Sequence, residues 1–102
     1  MQSIIESNLS KIIELSELFH VSRLELFGSA LGPEFDENSS DIDFLVEFNE
    51  QGIKNYADCF FGLKEALEEL FSRPIDLVVI SSLRNPYLLK SIENNKALLY
   101  AA

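Results

Sequence analysis

Leu26-Phe27-Gly28-Ser29-Ala30-Leu31-Gly32-Pro33, then Glu34-Phe35-Asp36-Glu37-Asn38-Ser39-Ser40, then Asp41-Ile42-Asp43-Phe44-Leu45-Val46-Glu47-Phe48 is the stretch whose reading decides the fold. An apolar strand runs into Gly28-Ser29, a polar loop follows, and Asp41-x-Asp43 opens a second strand. Side chains of a strand alternate between two faces, so Asp41 and Asp43 point the same way. Ile42, Phe44, Val46 and Phe48 then point the other way, into a core. Two adjacent carboxylates repel. A shared proton, a basic neighbour or a divalent cation makes such a pair tolerable. No Lys or Arg occurs between Arg23 and Lys54, and a bound metal is the preferred reading of this stretch.

Upstream, residues 3–19 have the apolar spacing of an amphipathic helix: Ile5, Leu9, Ile12, Ile13 and Phe19 recur on one side, with Glu6, Lys11, Glu14 and Glu17 on the other. His20 ends this helix, and a lone His there more often meets the last carbonyls than performs catalysis. Val21–Phe27 reads as the first strand. Gly28 at its end fits close approach to a ligand or a turn needing positive φ. If Ser29-Ala30-Leu31 begins a short helix, its unpaired N–H groups face whatever lies in front. An ordinary turn explains Gly-Ser equally well.

Downstream, Asn49–Gly52 reads as a turn and 55–71 as the second long helix, with Tyr56, Phe60, Leu63, Leu67, Leu70 and Phe71 as its buried stripe. Lys64, Glu65, Glu68 and Glu69 read as its solvated face. Arg73-Pro74 ends it, because proline disfavours helical geometry in the residue before it. Ile75–Ile80 is the third strand. Asp76 is a charge in an otherwise apolar run, and such a strand rarely carries one without a role. A solvated strand end and a third metal ligand beside Asp41 and Asp43 are the two readings, and the second is favoured. Pro86 suits the first turn of a third helix. Lys96–Tyr100 fits either a last helical turn or a short edge strand.

The whole chain, 102 residues, is expected to form one domain. Its 17 acidic and 8 basic side chains give a formal net charge of −9, which argues against direct nucleic-acid binding and suits a metal or a basic protein partner. The single Cys59 excludes an internal disulfide and a Cys-rich zinc site. The sequence has neither a signal-peptide pattern nor an apolar run of membrane-spanning length, and a cytoplasmic location is expected.

Leu26-Phe27-Gly28-Ser29, a loop of about ten residues, and Ser40-Asp41-Ile42-Asp43-Phe44-Leu45-Val46-Glu47-Phe48 together resemble the signature of the minimal nucleotidyltransferases, within the polymerase-β-like superfamily. Pro74-Ile75-Asp76-Leu77-Val78 resembles the strand that carries this family's third carboxylate. The tail, Asn85-Pro86-Tyr87 through Leu99-Tyr100, is similar to the ends of these small proteins. The resemblance implies an α/β fold, a small mixed sheet of three or more strands with helices mainly on one face. It also implies transfer of a nucleoside monophosphate, as AMP from ATP, onto a hydroxyl. Asp41 and Asp43 would hold one Mg²⁺ or Mn²⁺ ion on the triphosphate. Asp43 and Asp76 would hold a second, at the acceptor. Gly28 and Ser29 would cradle the β- and γ-phosphates. Family members commonly carry a basic residue soon after Gly-Ser, where this chain has Ala30-Leu31-Gly32. Arg23, Lys64, Arg73 and Arg84 are the candidates to replace it. Small members often pair with a helical protein of the HEPN type as the antitoxin of a toxin–antitoxin pair and modify that partner with AMP. A module that neutralises a partner by contact alone, and a subunit of a small-molecule nucleotidyltransferase, are the alternatives.

Overall fold

The computed structural model describes residues 3–27, 41–79 and 96–102. Two short helices come first, α1 (Ser3–Glu6) and α2 (Leu9–Leu18). Strands β1 (Val21–Phe27) and β2 (Ile42–Phe48) follow. Helices α3 (Glu50–Lys54) and α4 (Tyr56–Phe71) lead to strands β3 (Ile75–Val79) and β4 (Lys96–Ala101). The sheet order is β3-β2-β1-β4. β2 pairs antiparallel with β1 and parallel with β3, and β4 pairs antiparallel with β1. The sheet is mixed, and β2 lies between β1 and β3 as expected. Lys96–Tyr100 resolves as edge strand. The helix expected after Pro86, and the one expected at 29–31, lie outside the described residues.

One core joins the helices to one face of the sheet. Leu24 and Leu26 of β1, Ile42, Phe44, Val46 and Phe48 of β2, and Ile75 and Leu77 of β3 pack against Ile12 and Leu15 of α2 and Leu63, Leu67 and Phe71 of α4. This is the alternation read for β2. The opposite face carries Arg23, Glu25 and Phe27, then Asp43, Leu45 and Glu47, then Asp76 and Val78, with Lys96 and Leu98 beyond β1. Two of these depart from a solvated face: Leu45 is 1% exposed and Glu25 3%.

The expected helix 3–19 is broken. Asn8 donates its side-chain N–H to the Ile4 carbonyl at 2.8 Å, and the Ser7 hydroxyl reaches the same oxygen at 3.4 Å. Short polar side chains that bond nearby carbonyls compete with the helical ladder, and here they separate α1 from α2. After α2, His20 takes a left-handed conformation at φ 60°. Its carbonyl accepts the Asn49 N–H at 3.0 Å. Its role is thus to turn the chain from α2 into β1, the structural reading of this residue.

Residues 49–52 are not a simple turn. The Asn49 side chain accepts the Gly52 N–H at 3.1 Å and caps α3. A Cβ on Gly52 would stand 2.7 Å from Phe48 Cβ and 2.9 Å from the His20 carbonyl oxygen, closer than real Cβ atoms come. α4 ends at Phe71, with Ser72 left-handed at φ 53° before Arg73-Pro74. Its buried stripe is Cys59, Leu63, Leu67 and Phe71. Phe60 and Leu70 pack against it from the side, while Tyr56 is exposed. Among the described residues no helix is long and apolar enough to cross a membrane.

Candidate active site

The sheet brings the predicted carboxylates to one end of its outer face. In the parallel β2–β3 ladder, Asp43 stands directly opposite Asp76. Residues opposite each other in a ladder share a face, so both side chains project away from the helix-side core. Asp41 precedes β2 by one residue and is exposed, as is Asp76, while Asp43 is half-buried. The flanking pattern fixes this orientation. Ile42 and Phe44 on either side of Asp43, and Ile75 and Leu77 on either side of Asp76, are drawn into the core. The polar residue between each pair must then face outward.

The electrostatics follow from this placement. Burial, and then the charges of Asp76 and Asp41, push the Asp43 carboxyl from 3.8 up to about 6, and a side-chain hydrogen bond with Asp76 adds to the effect. Below that value the Asp43 carboxyl keeps its proton. The donor chemistry also fits a hard divalent cation, because carboxylate oxygens are what Mg²⁺ and Mn²⁺ prefer. Among the described residues, no group of three or more His, Cys, Asp or Glu side chains is gathered as a ready-made metal site. The arrangement is a close pair, Asp43 and Asp76, with Asp41 beside it. Gly28 and Ser29 lie outside the described residues, and the strand that leads to them ends at Phe27, opposite Asp43.

Two ion-paired carboxylates around the sheet were not read from the sequence. The Glu68 carboxylate accepts the Ile75 backbone N–H at 3.3 Å and pairs with Lys64 at 3.2 Å. It ties the start of β3, one residue before Asp76, to α4. The solvated-face reading of Lys64 and Glu68 is therefore corrected: both are only about one-third exposed. Their four-residue spacing was a visible signal of the ion pair, but the bond to Ile75 depends on how β3 returns along α4. The second is Glu25, away from the carboxylates, which accepts Arg23 at 3.1 Å on one oxygen and Lys96 at 3.0 Å on the other. Burial pushes the Glu25 carboxyl up, but the bonds from Lys96 and Arg23 outweigh it and hold it below the usual range.

A family model described as the nucleotidyltransferase domain matches residues 9–99, and the chain belongs to that family. It is a nucleotidyltransferase of the minimal, single-sheet kind. It is 42% identical over 72 residues to the protein adenylyltransferase MntA of Thermococcus cleftensis, covering 71% of this chain and 69% of the relative. A solved structure described as a minimal nucleotidyltransferase superposes with a TM-score of 0.70 at 28% identity, covering 91% of this chain and 90% of the other. The fold also recurs, at 21% identity and a TM-score of 0.60, in a solved complex of a tri-AMPylated HEPN toxin from Shewanella oneidensis with an MNT antitoxin. That match covers 95% of this chain and 72% of that one.

Proposed function

We propose that this nucleotidyltransferase moves AMP from ATP to a hydroxyl of a partner protein, and that the partner is a HEPN-type helical protein for which this chain is the antitoxin. One observation carries the reading: Asp43 and Asp76 lie opposite each other on adjacent strands with Asp41 alongside, in a chain of the nucleotidyltransferase family. The name of its archaeal relative supports a protein as the acceptor and AMP as the group transferred. The AMPylated HEPN toxin bound to a protein of the same fold supports the kind of partner. The net charge of −9 suits a basic surface opposite.

In this reaction an acceptor oxygen attacks the α-phosphorus, the bond to the β-phosphate breaks, pyrophosphate leaves and the hydroxyl proton passes to water. Asp41 and Asp43 would hold one divalent ion and Asp43 and Asp76 the other. Bound Mg²⁺ or Mn²⁺ supplies charge neutralisation at the phosphates and lowers the pKa of the acceptor hydroxyl. The chain contributes position. β2 and β3 hold the carboxylates in register, and Glu68 secures the start of β3. A bound cation would favour the ionised form of Asp43. Gly28 and Ser29, beyond the end of β1, remain the residues proposed for the β- and γ-phosphates.

The test is a labelling reaction with a purified HEPN-type partner and ATP labelled at the α-phosphate. Transfer adds one AMP mass per modified hydroxyl, requires a divalent cation and is lost in Asp43→Asn. A partner that binds the wild-type protein but stays unlabelled with ATP and magnesium refutes the proposal.

A further inference from the structure

We propose that Lys96 is a phosphate-binding residue of this site, held beside it by Glu25 and able to leave Glu25 for a nucleotide. The inference rests on the nucleotide reading above and adds a residue that the carboxylate pattern does not contain. A nucleoside triphosphate is a polyanion, and it must approach a sheet end that carries the carboxylates Asp41, Asp43 and Asp76. Even with divalent ions bound, such a face gains from a protein cation.

Among the described strand residues, two cations lie on this face, Arg23 and Lys96. Arg23 pairs across β1–β2 with Glu47, near the far end of the ladder from Asp43. Lys96 is at the near end. Phe27, the last residue of β1, stands between Asp43 on one side and Lys96 on the other. Two strand spacings put the Lys96 and Asp43 backbones about 10 Å apart on one face. The chain then runs directly from Phe27 into Gly28 and Ser29. A lysine's long flexible stem with a compact charge at its tip suits a phosphate oxygen between Lys96 and Asp43.

The Glu25 pairing fits a cation that can move. Each Glu25 oxygen holds one cation, Arg23 on Oε1 and Lys96 on Oε2. When Lys96 departs, the buried carboxylate keeps a charged partner, so the cost of leaving it unpaired is avoided. The Lys96 side chain is 21% exposed against 4% for Glu25, so Lys96 is the more accessible member of the pair.

Calorimetric titration of ATP and of AMP with magnesium into wild type, Lys96→Met, Lys96→Arg and Glu25→Gln tests this, with folding of each variant checked by circular dichroism. Removing one charge-assisted hydrogen bond to the triphosphate weakens ATP binding roughly ten- to a hundredfold. Lys96→Met should show that loss for ATP and little change for AMP, and Lys96→Arg should recover most of the affinity. Glu25→Gln, which breaks the same ion pair but keeps the lysine, should bind ATP as well as wild type or better. If Lys96 served only the fold, Lys96→Met and Glu25→Gln would move together, and that result overturns the inference. So does unchanged ATP affinity in folded Lys96→Met. Should Lys96→Met not fold, Lys96→Gln replaces it in the same comparison. Failure of the wild type to bind ATP overturns the nucleotide reading as well.

Discussion

Asp43 and Asp76 face each other across two parallel strands, and burial together with the charges of Asp76 and Asp41 raises the Asp43 carboxyl to about 6. The raised value is a statement about stability. The unfolded chain releases this proton near 3.8, the folded chain only near 6. The stabilising contribution is therefore fully present below the unfolded value and lost as pH rises through 6. By neutral pH the loss amounts to about 3 kcal/mol at most. Asp43→Asn removes it, since a neutral amide can still donate to Asp76. Denaturant unfolding of both proteins from pH 4 to 8 should give similar stabilities at the acid end and a more stable variant at pH 7. Parallel curves across the range would contradict the assignment.

The same pair predicts that a divalent cation and a proton compete. Magnesium or manganese should raise the melting temperature at pH 7, because it replaces repulsion between Asp43, Asp76 and Asp41 with attraction. Binding near pH 6 should release a proton from Asp43. Calorimetry in two buffers of different ionisation enthalpy measures that release. Asp43→Asn should show weaker metal binding and no released proton, while removal of the ion with a chelator should return the wild type to its lower melting temperature.

The sequence carried the site's skeleton because the physics there is local. Alternation in Ile42-Asp43-Phe44 and in Ile75-Asp76-Leu77 fixes which side chains leave the core, whatever the rest of the chain does. The place of β2 between β1 and β3 was expected, while Lys96–Tyr100 was left open between a helical turn and an edge strand. What escaped is what depends on long-range return. Glu68 meets the Ile75 N–H, and Lys96 meets Glu25, seventy-one residues away in sequence (96 minus 25), only through the folded topology. The break at Ser7-Asn8 and the cap at Asn49 were local and readable in principle. They turn on side-chain hydrogen bonds that an apolar periodicity does not register.

Gly52 is a packing constraint at the opposite end of β2 from the site. Any Cβ there meets Phe48 Cβ and the His20 carbonyl, neither of which is the loose end of a flexible chain. Gly52→Ala should therefore destabilise despite alanine's better helix propensity, by about 1–3 kcal/mol, the usual cost of overpacking. Thermal or urea unfolding reads this directly. Magnesium affinity should be unchanged in the folded fraction, because Gly52 packs against Phe48 at one end of β2 and Asp43 lies near the other. A variant as stable as wild type would mean that α3 can shift away from Phe48 at no cost.

Glu68 makes the clearest separation between holding a ligand and being one. It lies on α4 and accepts the N–H of Ile75, so it positions Asp76 through the backbone. Glu68→Gln keeps an oxygen acceptor and should retain wild-type magnesium affinity. Glu68→Ala leaves the Ile75 N–H without that acceptor and loosens the start of β3. Its cost in stability is small, under about 1 kcal/mol for a side chain one-third exposed to water. Its cost in function should be larger, because a displacement of Asp76 is felt wherever two carboxylates must meet one ion. Lys64→Ala, which removes only the ion pair, should resemble Glu68→Gln. Magnesium titration by calorimetry, beside the rate of the proposed AMP transfer, orders the four proteins. The expected order is wild type, Glu68→Gln and Lys64→Ala together, then Glu68→Ala several-fold weaker on both measures. Equal loss in Glu68→Gln and Glu68→Ala would instead assign the role to the Glu68 charge and not to its bond with β3.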